Sequence, residues 1–174
     1  MDTGTISREE AAWLAGIIDG EGYLHVGTRG ASRGSMRMSR ISLEVNSISP
    51  FLIRRIGEVW TKLRVRYCYA FGQNSAGNQF LRILCDGQGS LLKILQEIQP
   101  YMTAKREEVD LILEFLRWRP TMGYGPASPT GMLIKRYAAL HDGLVALHRR
   151  RFSLQRLPRR PSQPLDLALL EVKV

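Results

Sequence analysis

Alternating apolar and polar residues in two stretches near the start of the chain predict strands with one buried face. In residues 37–47 the apolar positions are Ile41, Leu43 and Val45, and the polar ones are Arg40, Ser42, Glu44 and Asn46. Residues 23–28 alternate in the same way. The Gly- and Ser-rich residues 30–35 between them predict a turn. Together these stretches predict a β-hairpin that turns one face toward a core.

A helix is predicted before this hairpin. Ser7 followed three residues later by Glu10 is a capping-box pattern, which satisfies backbone N–H groups at a helix N-terminus. Apolar residues then recur four positions apart, as the pairs Trp13 with Ile17 and Leu14 with Ile18. The pattern predicts a helix from Ser7 to about Ile18 that stops at the glycines Gly20 and Gly22.

The same order of elements repeats once downstream. Ser49 and Pro50 open a second helix, because Ser caps a helix well and Pro suits its first position. A second hairpin is predicted over residues 64–71 and 78–85, and two further helices over 90–98 and 103–119. The whole pattern predicts an α+β fold of order αββαββα, with a curved four-stranded antiparallel sheet and helices on one of its faces.

The chain beyond residue 120 has a different character. Residues 120–131 are rich in Gly, Pro, Ser and Thr, which predicts a linker or a long loop. An amphipathic helix and an arginine-rich segment follow. We therefore divide the chain into a core over residues 1–120 and an extension over residues 121–174 that packs on it. The basic segment either follows nucleic-acid phosphates or forms a solubilising tail, and the sequence leaves both open.

The charge of the chain points to a nucleic-acid partner. Its formal net charge is +9, with a pI of about 10.1, which is typical of nucleic-acid binding proteins. The polar positions of the first hairpin carry several arginines with only Glu44 as an acid, whereas a merely solvated face mixes both signs. Because the major groove of DNA admits a two-stranded ribbon, the polar face of the sheet is predicted to bind double-stranded DNA.

Other partners and compartments are disfavoured by the same sequence. No basic run flanks an apolar anchor, so we expect no membrane partner. The start of the chain lacks the apolar run of a secretory signal. Cys68 and Cys85 form neither a disulfide framework nor a zinc pattern. We therefore expect an intracellular protein with free thiols, although spacing alone does not rule out a bridge.

One nine-residue stretch, Leu14-Ala15-Gly16-Ile17-Ile18-Asp19-Gly20-Glu21-Gly22, carries the candidate chemistry. Around it, a helix face whose apolar members are all small would let a second helix approach closely. This face consists of Ala12, Ala15, Gly16 and Asp19. Glu21 follows the predicted helix end, where the helix dipole disfavours a carboxylate and suggests a nearby cation. A Rossmann phosphate loop is excluded because its third glycine would fall at His25, and a transmembrane GxxxG pair because charged residues bracket a short apolar run.

The stretch resembles the signature of the LAGLIDADG homing endonucleases in their single-motif, homodimeric form. It matches at Leu14, Ala15, Gly16, Ile18, Asp19 and Gly22, and Glu21 replaces an Asp by an equivalent acid. The resemblance implies that two copies of this helix pair in a homodimer, with Ala12, Ala15, Gly16 and Asp19 at the interface. It also implies that Glu21 and the Gly20 carbonyl bind Mg²⁺, or another divalent ion such as Mn²⁺, and that no organic cofactor is needed.

Further site residues follow from the resemblance. Lys105 corresponds to a family lysine that opens the helix after the second αββ unit. Asn46 or Ser47 corresponds to a polar residue that holds a water molecule near the end of the second strand. Together with Glu21, these are the predicted catalytic residues. The predicted DNA contacts lie on or beside the strands, at His25, Arg29, Arg33, Arg37, Arg40, Ser42, Glu44, Arg64, Arg66, Gln79 and Arg82.

The sequence thus predicts a metal-dependent homing endonuclease, encoded in an intron, that cuts a long, nearly palindromic DNA site as a homodimer. The alternative is a protein on the same scaffold that binds nucleic acid without cutting it, such as an intron RNA maturase or a DNA-binding regulator. An acid at position 21 favours the enzyme, because a protein that only binds has no need of it.

Overall fold

Two helix–strand–strand units join their hairpins into one sheet. The computed structural model describes residues 4–28, 39–118 and 130–155, with side chains described within 4–26, 41–118 and 136–150. The elements are α1 (Arg8–Glu21), β1 (Gly22–Thr28), β2 (Ser39–Ser47), α2 (Pro50–Lys62), β3 (Cys68–Gln73), β4 (Gln79–Cys85), α3 (Gln88–Ile98), α4 (Arg106–Trp118) and α5 (Thr130–Gln155). The predicted α+β class and the αββαββα order are confirmed, and α5 follows the predicted core.

The four strands are antiparallel and lie in the order β1-β2-β4-β3. Alternate residues of each strand point to the helices, as the period of two requires. At the centre of the sheet Leu43 lies opposite Cys85 and Val45 opposite Ile83, and all four side chains are completely buried. The helices α1, α2 and α3 all pack on β2 from this side. The other side of the sheet is called the outer face below, and α5 reaches it at β1.

The first helix begins with the predicted capping box. Glu10 N–H donates to Ser7 Oγ at 3.2 Å, and Ser7 N–H donates to Glu10 Oε2 at 3.3 Å. The Glu10 carboxylate also accepts from Arg55 at 3.1 Å and from Lys62 at 2.5 Å. The hydrogen bond from Lys62 is the largest cause that holds the pKa of Glu10 below its usual value. The N-terminal half of α1 is thereby tied to α2.

The helix continues three residues beyond its predicted end at Ile18. Gly22 has extended backbone, with φ −73° and ψ 143°, and it begins β1 directly. A Cβ atom at position 22 would lie 2.6 Å from the Ile18 carbonyl oxygen. Glycine is therefore required by close contact at the change from helix to strand, and not by a left-handed stop.

The predicted strand over residues 64–71 is corrected by the structure, which begins β3 at Cys68. The preceding residues close α2 instead. Arg64 N–H donates to Thr61 O and Val65 N–H donates to Trp60 O, at 2.9 and 3.2 Å. These two bonds form a Schellman motif, with Arg64 in the left-handed position at φ 52°. Glycine usually occupies that position, so an arginine there hides the turn from sequence reasoning.

The described part of the extension packs on the edge of the core. The rings of Tyr137 in α5 and Phe115 in α4 lie 4.6 Å apart, and the guanidinium of Arg136 lies 4.3 Å from the centre of the Trp118 ring. Residues 119–129, which contain the predicted boundary, lie outside the described residues. None of the described helices is long and apolar enough to cross a membrane.

Candidate active site and nucleic-acid surface

Glu21, the acid of the signature, lies at the junction of α1 and β1. Glu21 is the last residue of α1 and its side chain is exposed. The next residue, Gly22, pairs with Val45 of β2. Because the strands are antiparallel, Glu21 and Asn46 each lie one residue beyond this pair, at the same end of the sheet. The structure therefore brings one predicted catalytic pair, Glu21 and Asn46, into one region.

The side chain of Lys105, a residue far from α1 in the sequence, reaches the C-terminal end of α1. Its Nζ donates to the Ile18 carbonyl at 2.7 Å and to the Gly22 carbonyl at 2.5 Å. These carbonyls precede and follow Glu21, so the ammonium lies against the C-terminal end of α1. A cation there offsets the negative end of the helix dipole. Lys105 thus contacts backbone carbonyls before and after Glu21, although the two residues are 84 positions apart in the sequence.

Asp19 occupies a position that the sequence did not indicate. Its Oδ2 accepts from Thr103 N, Thr103 Oγ1 and Ala104 N at 2.7, 2.8 and 3.1 Å, and its Oδ1 accepts from Lys105 N at 2.8 Å. Partial burial raises the pKa of Asp19, but the hydrogen bonds from Thr103, Lys105 and Ala104 outweigh burial and hold the pKa below its usual value.

These bonds correct the predicted start of α4 and give Asp19 a role within the chain. The N–H groups of Thr103, Ala104 and Lys105 are satisfied by a side chain from α1, and α4 itself begins at Arg106, later than predicted. Asp19 was predicted at a helix–helix interface between subunits. Within the chain its carboxylate caps the start of α4, and its place at the subunit interface stays a prediction. No local pattern could have shown this, because the capped residues lie more than 80 positions away.

The two alternatives for the water-holding residue differ in their surroundings. Ser47 Oγ accepts from Ser49 N at 3.1 Å, so this hydroxyl holds the turn into α2. Asn46 is on the outer face, where its Oδ1 accepts from Arg82 Nε at 2.9 Å. The same Nε lies 3.4 Å from Glu44 Oε2. Asn46 therefore belongs to a polar cluster on the outer face, and Ser47 to the structure of a turn.

The predicted DNA contacts fall into three groups. Those on the outer face are His25, Ser42, Glu44 and Arg82, and Arg40 joins them by its backbone position opposite Gly27. Arg64 and Arg66 are exposed in the turn before β3, and Gln79 is exposed at the hairpin end, on the side of the sheet opposite to Arg82. Arg29, Arg33, Arg37 and the side chain of Arg40 lie outside the described residues.

The burial of Ser42 changes the interpretation of this predicted DNA contact. Ser42 is only 4% exposed, so it is not available as a surface contact in the way that the alternation predicted.

Tyr23 is 50% exposed on the outer face and stacks on His25, with ring centres 5.8 Å apart. The centre of the Tyr23 ring also lies 6.3 Å from that of His148 in α5. The alternation of residues 23–28 could have identified Tyr23, which has the same parity as His25.

One face of α1 is bare. Ala12, Gly16 and Gly20 are exposed, and a Cβ atom added to Gly16 or Gly20 would meet nothing within 4 Å. Ala15, predicted on this face, is completely buried in the core of the chain itself. The exposed face therefore consists of positions 12, 16 and 20, which recur every four residues and leave room for a second backbone.

Solved structures of homing endonucleases have a similar fold. I-CvuI, bound to a DNA target in the presence of Mg, matches with a TM-score of 0.63 and 21% identity over 80% of this chain and 82% of its own. The archaeal intron-encoded I-Vdi141I, complexed with DNA, matches with a TM-score of 0.58 and 12% identity over 78% and 84%. The LAGLIDADG homing endonuclease I-GzeII, in complex with a DNA target, matches with a TM-score of 0.58 and 10% identity over 79% of this chain and 44% of its own.

This chain has the LAGLIDADG homing endonuclease fold. The resemblance seen in its nine-residue signature is thereby confirmed at the level of the fold, which is what identities of 10–21% show. No protein-family model matches the sequence, and no curated protein does. In the LAGLIDADG fold of this chain, the signature helix carries Glu21 at its C-terminal end and Lys105 lies against that end.

Proposed function

We propose that this chain is a sequence-specific, divalent-metal-dependent endonuclease of the homing type that cuts both strands of a long, nearly palindromic DNA site as a homodimer. The observation that carries the proposal is that the Lys105 ammonium binds the carbonyls of Ile18 and Gly22 at the end of α1 that carries Glu21. An exposed acid at a helix C-terminus is electrostatically unfavourable unless cations surround it. One cation is the lysine, and a bound metal ion would be another.

The donors at this point suit a hard divalent ion. Glu21 supplies a carboxylate and Gly20 a backbone carbonyl, and both are exposed. Mg²⁺ prefers oxygen ligands and keeps several waters, so it needs few protein groups, and Mn²⁺ accepts similar ligands. Within the described residues no three His, Cys, Asp or Glu side chains cluster to hold a metal ion. A second copy of Glu21 would supply the missing charge, which favours a site shared between two chains.

The metal ion and the remaining side chains have separate roles in phosphodiester hydrolysis. When bound, the metal supplies a nucleophilic water and stabilises charge on the phosphate. Lys105 places a fixed positive charge beside Glu21, where negative charge develops on the phosphate in the transition state. Asn46 lies at the same end of the sheet and orients water through its amide, with Arg82 holding its Oδ1. Ser47 contributes by fixing the turn after β2.

The bare face of α1 supports the proposed homodimer. Each chain carries one Glu21 and one Lys105, so it offers half of what two strand cuts require. Pairing of two α1 helices through Ala12, Gly16 and Gly20 would bring the two ends that carry Glu21 close together. The mutual repulsion of the two acids would then be relieved by metal.

The outer face of the sheet is the proposed DNA surface. His25, Glu44 and Arg82 are described there, and the arginines at positions 29, 33, 37 and 40 extend the same hairpin in sequence. Arg64 and Arg66 add positive charge beside β3. Three solved proteins of the same fold were crystallised with DNA, which supports a double-stranded DNA partner for this chain.

The test is cleavage of a randomised duplex library by purified protein, with Mg²⁺ and with EDTA in place of Mg²⁺. Wild type should enrich one nearly palindromic cut site, and only with the metal. Glu21→Gln should bind that site but cut it several orders of magnitude more slowly, because transition-state stabilisation is lost while ground-state binding is kept. Glu114→Gln, the same change at an exposed acid of α4, is the matched control and should cut normally.

Two results would count against the proposal. Full cleavage by Glu21→Gln would remove the acid from its catalytic role. Tight, sequence-specific binding without any cleavage by wild type would identify the chain as a binding protein, such as an RNA maturase or a DNA-binding regulator.

A further inference from the structure

The side chain of Asp19 and the side chain of Lys105 cross between the same two elements in opposite directions. Asp19 reaches from α1 to the backbone that opens α4, and Lys105 reaches from that opening back to the α1 carbonyls. The backbone N–H of Lys105 is itself one of the donors to Asp19, at 2.8 Å. The lysine is therefore held at both ends, by its own N–H and by its own ammonium.

From this reciprocal arrangement we infer that Asp19 is a positioning residue, which acts through Lys105 by fixing the start of α4 so that the ammonium lies on the carbonyls that flank Glu21. The inference rests on the proposed function for its catalytic consequence. It assigns to Asp19 a role inside one chain, separate from any contact with a second chain.

Both carboxylate oxygens are needed for this role. One oxygen accepts three hydrogen bonds from Thr103 and Ala104, and the other accepts the bond from Lys105 N. An asparagine keeps the shape but replaces one acceptor by an NH₂ donor. If its oxygen keeps the Thr103 and Ala104 bonds, the NH₂ faces the Lys105 N–H, and two donors then oppose each other. The lysine is thus the residue that the substitution releases.

A displacement of the ammonium matters because its distance from the reacting phosphate sets its effect. A substitution far from the chemistry that displaces a catalytic group by about 1 Å can reduce a rate roughly 100-fold. DNA binding should be spared, since the outer face of the sheet does not include Asp19. The expected signature is a fall in the cleavage rate of bound DNA without a comparable change in affinity.

The first measurement does not depend on cleavage. Each lysine is acylated by a small amine-reactive acylating reagent, and the extent of acylation is followed by mass spectrometry in wild type and in Asp19→Asn. Lys105 should react about tenfold faster in the variant, since a charge-assisted hydrogen-bond network holds it in wild type. Lys93 is the internal control, because its Nζ donates to the Leu63 carbonyl at 3.1 Å and lies in a different contact. Its reactivity should not change.

The second measurement is the single-turnover cleavage rate at saturating protein, compared with the dissociation constant. Asp19→Asn should cut bound DNA roughly 10- to 100-fold more slowly with nearly unchanged affinity. Asp110→Asn is the matched control, because Asp110 also accepts a side-chain bond, from Gln99 at 2.8 Å, and is a member of α4. That variant should cut like wild type.

The outcomes separate the inference from the proposed function. If wild type does not cut DNA, the proposed function fails, and the reactivity of Lys105 still decides the positioning role. Unchanged Lys105 reactivity in Asp19→Asn would overturn the inference, and so would an equal rise at Lys93, which would mean general loosening. If Asp19→Asn does not fold, Thr103→Val removes only the hydroxyl bond to Asp19, and it should raise Lys105 reactivity in the same direction. An unchanged value there would also overturn the inference.

Discussion

Lys105 donates its ammonium to the carbonyl of Gly22, the residue that directly follows Glu21. The same ammonium binds the Ile18 carbonyl in the last turn of α1. Two backbone acceptors therefore hold a positive charge at the negative end of the helix that carries Glu21. This relationship links the packing between the start of α4 and the end of α1 to the electrostatics of the proposed site.

Replacing Lys105 by methionine should affect both stability and cleavage. The aliphatic stem is kept, but two carbonyls lose a charged donor, which should lower the free energy of unfolding by about 1–3 kcal/mol. Cleavage should be nearly abolished. Lys93→Met is the control, since it removes a similar bond to Leu63 O, and it should lower stability without affecting cleavage. Urea unfolding and single-turnover kinetics measure the two effects, and normal cleavage by Lys105→Met would contradict the proposed role.

Replacing Gly16 by leucine should separate the proposed dimer and leave the chain folded. A Cβ atom at Gly16 meets nothing within 4 Å in the single chain, so the side chain projects into the space that a second helix would fill. Gly89→Leu places leucine at another open helical glycine, in α3, and should leave the dimer intact. Sedimentation at micromolar concentration distinguishes the two. A monomeric wild type would refute the dimer itself.

The stability contributed by Asp19 should depend on pH. The pKa of Asp19 in the folded chain is below its usual value, and the usual value in an unfolded chain is about 3.9. The contribution is therefore complete above the unfolded pKa and is lost as the pH falls through the folded pKa. The difference in unfolding free energy between wild type and Asp19→Asn should shrink as the pH falls from about 5 toward 2. A difference that stays constant over this range would show that the depressed pKa is not the cause.

Arg64 should show a conflict between stability and DNA binding. Its φ of 52° is unfavourable for any residue with a Cβ atom, by about 1 kcal/mol or more. Arg64→Gly relieves this strain, so the unfolding free energy should stay level or rise by up to about 1 kcal/mol. Arg64→Ala keeps the strain and should be the less stable variant. Both lose the charge, and if Arg64 contacts a phosphate, both should reduce the slope of log K against log salt by about 1. Unchanged salt slopes in both would exclude Arg64 from the DNA surface.

The fold was largely predictable because its periodicities are regular and its caps are local. The alternation of Ile41, Leu43 and Val45 identified β2, and Ser7 with Glu10 identified the start of α1. The error at the start of β3 came from an arginine in a conformation that usually marks glycine, which residue type alone does not reveal.

The site was predictable where residue type and position carried the information. Glu21 and Lys105 were singled out by resemblance, and in the structure the Lys105 ammonium donates to the carbonyl of Gly22, the residue after Glu21. The contacts of Asp19 and the burial of Ala15 depend on which parts of the chain meet in space, and no nearby residue signals them. Ser42 shows the same limit, because alternation gives the side of the sheet on which a residue lies but not whether neighbours cover it.

The two ends of α1 are fastened to different parts of the core. Glu10 joins the first turn to Arg55 and Lys62 of α2, and Asp19 joins the last turn to the start of α4. A helix held at both ends cannot roll about its own axis, so the bare face of Ala12, Gly16 and Gly20 keeps one orientation before any partner arrives. Association on that face then orders very little that is mobile beforehand, and such preorganisation strengthens binding without adding a contact.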